Sequence, residues 1–299
     1  MKKLLFVYNP HSGKGEIGQS LSDIVCTFTK AGYNVTVHPT SAALDGQNFI
    51  TECAGEYDMI VSSGGDGMLH ELFCGLIASG KSVPCGYIPS GTVNDFASSM
   101  KIPKEPVKAA EIVVAGNFRE IDAGVFGGNI FSYVAAFGMF TKVSYATDQR
   151  MKNVLGAAAY LIEILRSMDI KHFYESTVHA KVIINGEEYE DDFIFGMAGN
   201  TFSVGRLSNL VPNDAEMDDG LLDCMFIRTP KTIPDLERIK IALINQSLDI
   251  PSIITGKTDK LTVISEKPIQ WTLDGENGGE TTNVDIGIRN RAIRIAVSE

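Results

Sequence analysis

Residues 58–71, Asp-Met-Ile-Val-Ser-Ser-Gly-Gly-Asp-Gly-Met-Leu-His-Glu, constrain the fold more than any other stretch of the chain. Met59 to Ser62 reads as a buried strand, and a helix opens behind it with Leu69, Leu72, Phe73, Leu76 and Ile77 at helical spacing. Gly64, Gly65 and Gly67 surround one acid, Asp66. Glycines in such a turn admit left-handed backbone angles and let a ligand reach the main chain without meeting a Cβ. The first N–H groups of the helix then face that ligand and favour an anion such as phosphate. Asp66 repels a bare phosphate, so it suits Mg²⁺ or the proton of a hydroxyl. The competing reading is an ordinary strand-to-helix turn whose acid is favoured by the helix dipole. A phosphate cradle beside an acid points to phosphoryl transfer.

The same grammar recurs on both sides of this stretch. Leu4 to Tyr8 is a near-continuous apolar run, as in a parallel strand buried on both faces, and it turns at Asn9-Pro10-His11-Ser12-Gly13. A helix from about Gln19 to Ala31 stops at Gly32, and Tyr33 to His38 alternates as a second strand ending at Pro39-Thr40. A polar helix from Asp45 to Ala54 leads into residues 58–71. Behind the Met68 to Ser79 helix come a strand from Val83 to Ile88, a small-residue turn from Pro89 to Asp95, and a helix from Pro106 to Ala115. Strands alternating with helices through short loops predict a parallel sheet with ligand sites at the strand C-terminal ends. The turns after Tyr8, Ser63 and Ile88 should therefore converge.

The pattern changes near Ile121. Short strands broken by Gly124, Gly127 and Gly128 run to Phe137, and one helix is expected over about Lys152 to Met168. From Ser176 onward the segments are β-rich: Thr177 to Ile184, Asp192 to Ala198, Leu222 to Ile227, Leu261 to Ser265, Ile269 to Leu273 and Ala292 to Val297. Asn185-Gly186 and Asp274-Gly275 suit hairpin turns. This half should be a mainly antiparallel β-sandwich.

Charge and cysteine usage narrow the function. A net charge of -11 excludes general nucleic-acid binding through a basic surface. Five scattered cysteines, with no C-x-x-C pair, point to reduced cytosolic thiols rather than disulfides or zinc. The apolar run at the N-terminus is ended by Asn9-Pro10, so it reads as a first strand and not as a signal peptide. No stretch reaches the roughly 18 apolar residues of a membrane span. A lipid substrate would have to be met at the membrane from the cytosol.

The remaining motifs each have a plainer competitor. Gly13, Gly15 and Gly18 spell G-x-G-x-x-G, but the second strand ends in His38-Pro39-Thr40 without the acid that a dinucleotide fold needs. Asn9 to Gly13 remains a turn able to hold phosphate through backbone N–H groups, while Lys14 reads as a solvated side chain. In the Pro89 to Ala97 turn, Gly91 frees the backbone, Ser90 and Thr92 offer hydroxyls, and Asn94 and Asp95 can cap the next helix. The acidic run Asp214 to Asp223 offers hard oxygen ligands for Mg²⁺ or Ca²⁺, against a solvated turn. Asp274 and Glu276 flank Gly275 at a strand end, where either could take a proton from a hydroxyl and where a hairpin turn competes. His70 packs or lines the site.

Together these motifs resemble the diacylglycerol kinase catalytic family, which also includes sphingosine and ceramide kinases. The resemblance runs from Lys3 to about Ala296 through Asn9-Pro10, Ser12-Gly13, Gly64 to Gly67 with Glu71, Pro89 to Ala97, Gly199-Asn200, Pro212 to Asp223 and Asp274 to Glu276. It implies an α/β N-terminal domain, Rossmann-like and three-layered as in NAD kinase and phosphofructokinase, over 1–122 and about 285–299. The β-sandwich domain would occupy 123–284. It further implies ATP and Mg²⁺, bound in a cleft. The nucleotide would meet Asn9, Pro10, His11, Ser12, Gly13, Thr40, Gly64, Gly65, Asp66, Gly67, Met68, Leu69, His70, Glu71, Thr92 and Asn94. The structural metal loop of bacterial members matches the Asp219 side chain and the carbonyls of Glu216 and Leu221. Glu276 matches the proton acceptor, with Asp274 as the rival base and Asp66 as the third catalytic acid.

The implied partner is a lipid alcohol reached at the inner face of the membrane by a cytoplasmic protein, with a homodimer as an open arrangement. Tyr133, Phe137, Met139 and Phe140 are candidate walls for an acyl chain, against a plain core role. Two departures from the family pattern stand out. Met68 replaces the usual threonine, as an apolar residue does in sphingosine kinases, and Thr201 to Arg206 alters a glycine-rich segment. A soluble-metabolite kinase of the NAD kinase type, or a non-catalytic nucleotide or lipid binder, are the alternatives.

Overall fold

The computed structural model describes residues 1–13, 17–92, 94–139, 177–200, 217–245 and 247–298. The helix expected over 152–168, Phe140 and Thr201 to Arg206 lie outside them. The chain divides into two compact units, Met1–Ala123 with Asn290–Glu299, and Gly124–Arg289.

In the first unit the order is β1 (Lys2–Tyr8), α1 (Ile17–Lys30), β2 (Tyr33–Pro39), α2 (Asp45–Cys53), β3 (Met59–Gly64), α3 (Asp66–Ser79), β4 (Cys85–Pro89), α4 (Asp95–Ser99) and α5 (Pro106–Ala115). The sheet runs β2-β1-β3-β4 and every pair is parallel. Central strands β3 and β4 are buried at every position, Ser62 and Ser63 included. Edge strand β2 alternates between exposed and half-buried residues.

The strand order fixes where a ligand can sit. The chain crosses from β1 to β2 in one direction and from β2 back past β1 to β3 in the other. Right-handed crossovers then put α1 and α2 on opposite faces. The helix pairs that form agree with this: α1 packs on α5, and α2 on α3. Neighbours β1 and β3 therefore send their helices to opposite faces, and the opening between their C-terminal ends is the topological switch point. The Asn9–Gly13 turn and the Gly65–Gly67 turn lie there.

The second unit is antiparallel. Its strands include the ends of β5 (Phe118–Phe126), then β6 (Asn129–Phe131), β7 (Val134–Gly138), β8 (Val178–Ile184), β9 (Glu187–Gly199), β10 (Leu222–Arg228), β11 (Ile253–Thr258), β12 (Lys260–Leu273) and β13 (Glu276–Ala296). Trp271, 1% exposed, centres one core, with the rings of Phe126 and Phe137 each 4.9 Å away. A second core lies on the other side of β7, β9 and β10, where α6 (Ile233–Asn245) contributes Leu236, Ile239, Ala242 and Leu243. Burial on both faces explains the apolar run from Phe193 to Ala198. The end of β13 returns to the first unit, where Ile295 pairs in parallel with Cys85 of β4.

Three expectations about elements need correction. Gly124 does not break a strand. It lies inside β5 because the Phe131 ring covers it, and a Cβ there would come within 2.1 Å of that ring. Leu261 to Ser265 and Ile269 to Leu273 belong to one strand, β12, whose register shifts between Ile264 and Ile269. Helix α6 lies outside the expected elements, although Thr232 caps its start: Thr232 Oγ1 accepts the Asp235 N–H at 3.3 Å and donates to Asp235 Oδ2 at 2.8 Å.

Candidate active site

The three turns of the first unit meet as the alternating pattern required. The Gly64 carbonyl is the hub. It accepts the Ser90 N–H at 2.8 Å, the Gly91 N–H at 3.1 Å and the Tyr87 hydroxyl at 2.9 Å. The Asn9 N–H donates to Ser63 at 2.9 Å, which ties the first turn to the end of β3. The Thr40 N–H donates to Tyr8 at 2.9 Å and brings the end of β2 alongside. Within the first turn, the Asn9 carboxamide accepts the His11 N–H at 2.9 Å.

Glycine is required where these turns touch. A Cβ on Gly91 would lie 2.4 Å from the Gly65 Cα, and one on Gly13, whose φ is +58°, would lie 2.3 Å from the Ser90 carbonyl oxygen. Both obstacles are backbone and cannot swing aside. Gly67 is different: a Cβ there would meet nothing within 4 Å, so the main chain at the start of α3 is open to a ligand. Asp66 is the first residue of α3. Its charge, second to burial, raises the Tyr87 phenol pKa well above its ordinary value. A carboxylate at such a turn favours a cation beside it.

Asn94 has a role other than the expected cap. It stands at φ 55° before α4 and makes no side-chain cap. Its carboxamide instead clamps Gly91, accepting the Gly91 N–H at 3.0 Å and donating to the Gly91 carbonyl at 2.7 Å. It holds the third turn in shape and is 2% exposed.

In the second unit, Asp274 and Glu276 are separated in role by one glycine. Asp274 is 7% exposed and lies at φ 53° in the turn between β12 and β13. Its Oδ2 accepts the Ser132 N–H at 2.6 Å, and its Oδ1 accepts the N–H groups of Tyr133 at 2.9 Å and Val134 at 3.1 Å. The Tyr133 hydroxyl donates to the Asp274 carbonyl at 2.9 Å. Glu276 opens β13 and is exposed.

Residues 3–126 match the family model described as the diacylglycerol kinase catalytic domain. Residues 134–297 match that of the YegS C-terminal NAD kinase beta sandwich-like domain. A diacylglycerol kinase of Bacillus subtilis (strain 168) is 31% identical over 281 residues, covering 93% of this chain and 91% of that protein. The chain belongs to the diacylglycerol kinase catalytic family. A diacylglycerol kinase of Staphylococcus aureus (strain bovine RF122 / ET3-1) is 29% identical over 286 residues, covering 93% of this chain and 87% of that protein. Two solved structures from Bacillus anthracis str. Sterne share the fold. One has a TM-score of 0.84 at 24% identity, over 99% of this chain and 95% of that one. The other, of a diacylglycerol kinase, has a TM-score of 0.77 at 21% identity, over 99% and 97%. Membership in the family makes the protein a lipid kinase, and a kinase of this family uses ATP.

Two residues expected at the nucleotide face elsewhere in this kinase. The Glu71 carboxylate accepts the N–H groups of Leu44 at 3.1 Å and Gln47 at 3.3 Å, so it caps the start of α2 from α3. Met68 is 5% exposed, and its terminal methyl would be 2.5 Å from a Cβ on Gly46 of α2. The two helices approach closely at that glycine, and Met68 fills the contact. The departure from threonine is thus a packing change between α2 and α3. Met68→Thr is expected to cost about 1–3 kcal/mol of stability while leaving the KM for ATP within about threefold. Thermal unfolding and ATP titration check the pair of values. A tenfold change in that KM would place Met68 at the nucleotide after all.

Of the wall candidates, Tyr133, Phe137 and Met139 are core residues. Phe137 packs on Trp271, Met139 is 2% exposed, and the Tyr133 hydroxyl is engaged by Asp274. Only part of the expected metal loop lies among the described residues. Asp219 already holds the Leu221 N–H and Lys257, and Glu216 lies outside the described residues.

Proposed function

We propose that this kinase transfers the γ-phosphate of ATP to a hydroxyl of a diacylglycerol-type lipid, met at a membrane surface. Among the described residues no helix is long and apolar enough to cross a membrane, in keeping with a substrate that is visited rather than enclosed. The observation that carries the reading is the packing of three strand-end turns, Gly91 on Gly65 and Gly13 on the Ser90 carbonyl, beside the open main chain at Gly67. Asn9 to Gly13, Thr40, Gly65 to Gly67 and Thr92 would hold the nucleotide. The N–H groups at the start of α3 supply fixed positive dipole ends for phosphate oxygens.

Mg²⁺, when bound with the nucleotide, neutralises charge that builds on the transferring phosphoryl group. Asp66 suits that ion, because it is the acid at the glycine turn where α3 begins. Of the two candidate bases, Glu276 is the better acceptor of the hydroxyl proton. It is exposed, whereas the Asp274 oxygens already serve three backbone donors.

The test is direct. The purified chain is incubated with labelled ATP, Mg²⁺ and vesicles carrying diacylglycerol, ceramide or a sphingoid base, with NAD as a competing acceptor. Phosphorylated diacylglycerol is the expected product. Phosphorylated NAD without any lipid product rejects the proposal.

A further inference from the structure

The loop before β10 carries a cation of its own. Lys257 stands on β11 directly opposite Asp223 on β10 in the antiparallel register. Its Nζ lies 3.4 Å from Asp219 Oδ2 and 3.8 Å from Asp223 Oδ1. The other Asp219 oxygen, Oδ1, accepts the Leu221 N–H at 2.9 Å. The lysine's main chain is fixed as well, since Asn185 Nδ2 donates to the Lys257 carbonyl at 2.7 Å. The three side chains are shielded, with 28% of Lys257, 20% of Asp219 and 13% of Asp223 exposed.

We propose that the Lys257 ammonium is the resident cation of this loop, bridging Asp219 and Asp223, and that it takes the place of a structural divalent ion in this chain. Lysine can do this because it is a compact charge with three rotatable donors on a flexible stem, so one amine serves two carboxylates. A divalent ion has the harder task. Mg²⁺ needs a near-octahedral set of oxygens at about 2.0–2.1 Å. One bound to the Asp219 carboxylate at that range would sit within a few ångströms of the ammonium. Like charges so close, and partly shielded from water, are weakly screened by salt. The cross-strand register favours the bridge, because β10 and β11 place Lys257 across from Asp223.

The consequence is a fold whose β10–β11 edge does not depend on divalent ions, whatever Mg²⁺ does beside the nucleotide. The experiment measures thermal unfolding and bound metal, not phosphoryl transfer, so its result is separate from the substrate reading. The wild-type chain, without nucleotide, is unfolded in chelator and in millimolar MgCl₂, and its metal content after dialysis is measured by elemental analysis. The expected wild-type result is the same Tm in both and a metal content well below one ion per chain. Lys257→Met is expected to unfold several degrees lower in chelator, and to recover part of that loss in Mg²⁺. A stoichiometric divalent ion that survives dialysis of the wild type overturns the proposal. So does a chelator-induced fall in the wild-type Tm that Mg²⁺ reverses, and so does a Lys257→Met Tm equal to wild type in chelator. The wild-type measurements stand even if the variant does not fold.

Discussion

Replacing Asp66 with asparagine is expected to lower turnover roughly 10³-fold while the fold stays intact. Phosphoryl transfer asks little covalent chemistry of a protein, so positioning and charge neutralisation carry most of the rate. Asp66 is the acid at the junction of the three turns, one residue before the open backbone of Gly67. Asparagine keeps the size of the side chain and removes its charge. Tyr87 would still reach the Gly64 carbonyl. Unfolding temperature should therefore move little, while lipid phosphorylation at saturating ATP collapses. Near-normal turnover in Asp66→Asn would sink the proposed role.

The second large effect separates two acids that the sequence left as rivals. Glu276→Gln is expected to cut turnover roughly 10²-fold or more, with Tm unchanged, because the residue is exposed at the start of β13. Asp274→Asn is expected to act on stability first. It leaves one carbonyl oxygen to satisfy three backbone donors that a carboxylate now serves with two oxygens. Charge-assisted bonds of this kind contribute about 1.5–3 kcal/mol each, so a loss of about 2–4 kcal/mol is expected. On a unit of this size that is a fall of several degrees in Tm. The measurement is Tm and kcat for both variants side by side. If Asp274→Asn kept its Tm and lost only turnover, Asp274 would be the base. Asp274 is read here as a positioning residue: it fixes the turn from which Glu276 projects by gripping Ser132, Tyr133 and Val134.

Much of the first unit was legible because its signals are local. The apolar runs of β1, β3 and β4, the helical spacing of α1, α3 and α5, and the glycine turns are properties of a few consecutive residues. The hairpin turns Asn185-Gly186 and Asp274-Gly275 were legible for the same reason, and all four residues do take positive φ. The β-rich half was harder. The first eight residues of β13 are polar or glycine, so apolar alternation begins only at Val284, Ile286 and Ile288 and the strand's start carries no such signal. Its length comes from pairing with β12, a partner supplied by tertiary structure. Helix α6 had a capping signal, but its value is to cover the second face of β7, β9 and β10, and that need becomes visible only once those strands are side by side.

The sequence by itself determined the fold class, the family and the presence of three strand-end turns with one acid among them. Only the tertiary structure decided what the side chains near those turns do. Glu71 turns to α2 because the N–H groups of Leu44 and Gln47 arrive there from a different helix. Asn94 grips Gly91 rather than the helix behind it. Asp274 is held by backbone some 140 residues away in the chain, and Asp219 meets Lys257, a lysine that strand register places across from Asp223. The physical reason is the same in each case. Turn geometry and periodicity are written in neighbouring residues, whereas the role of a carboxylate is set by which donors packing brings within hydrogen-bond reach.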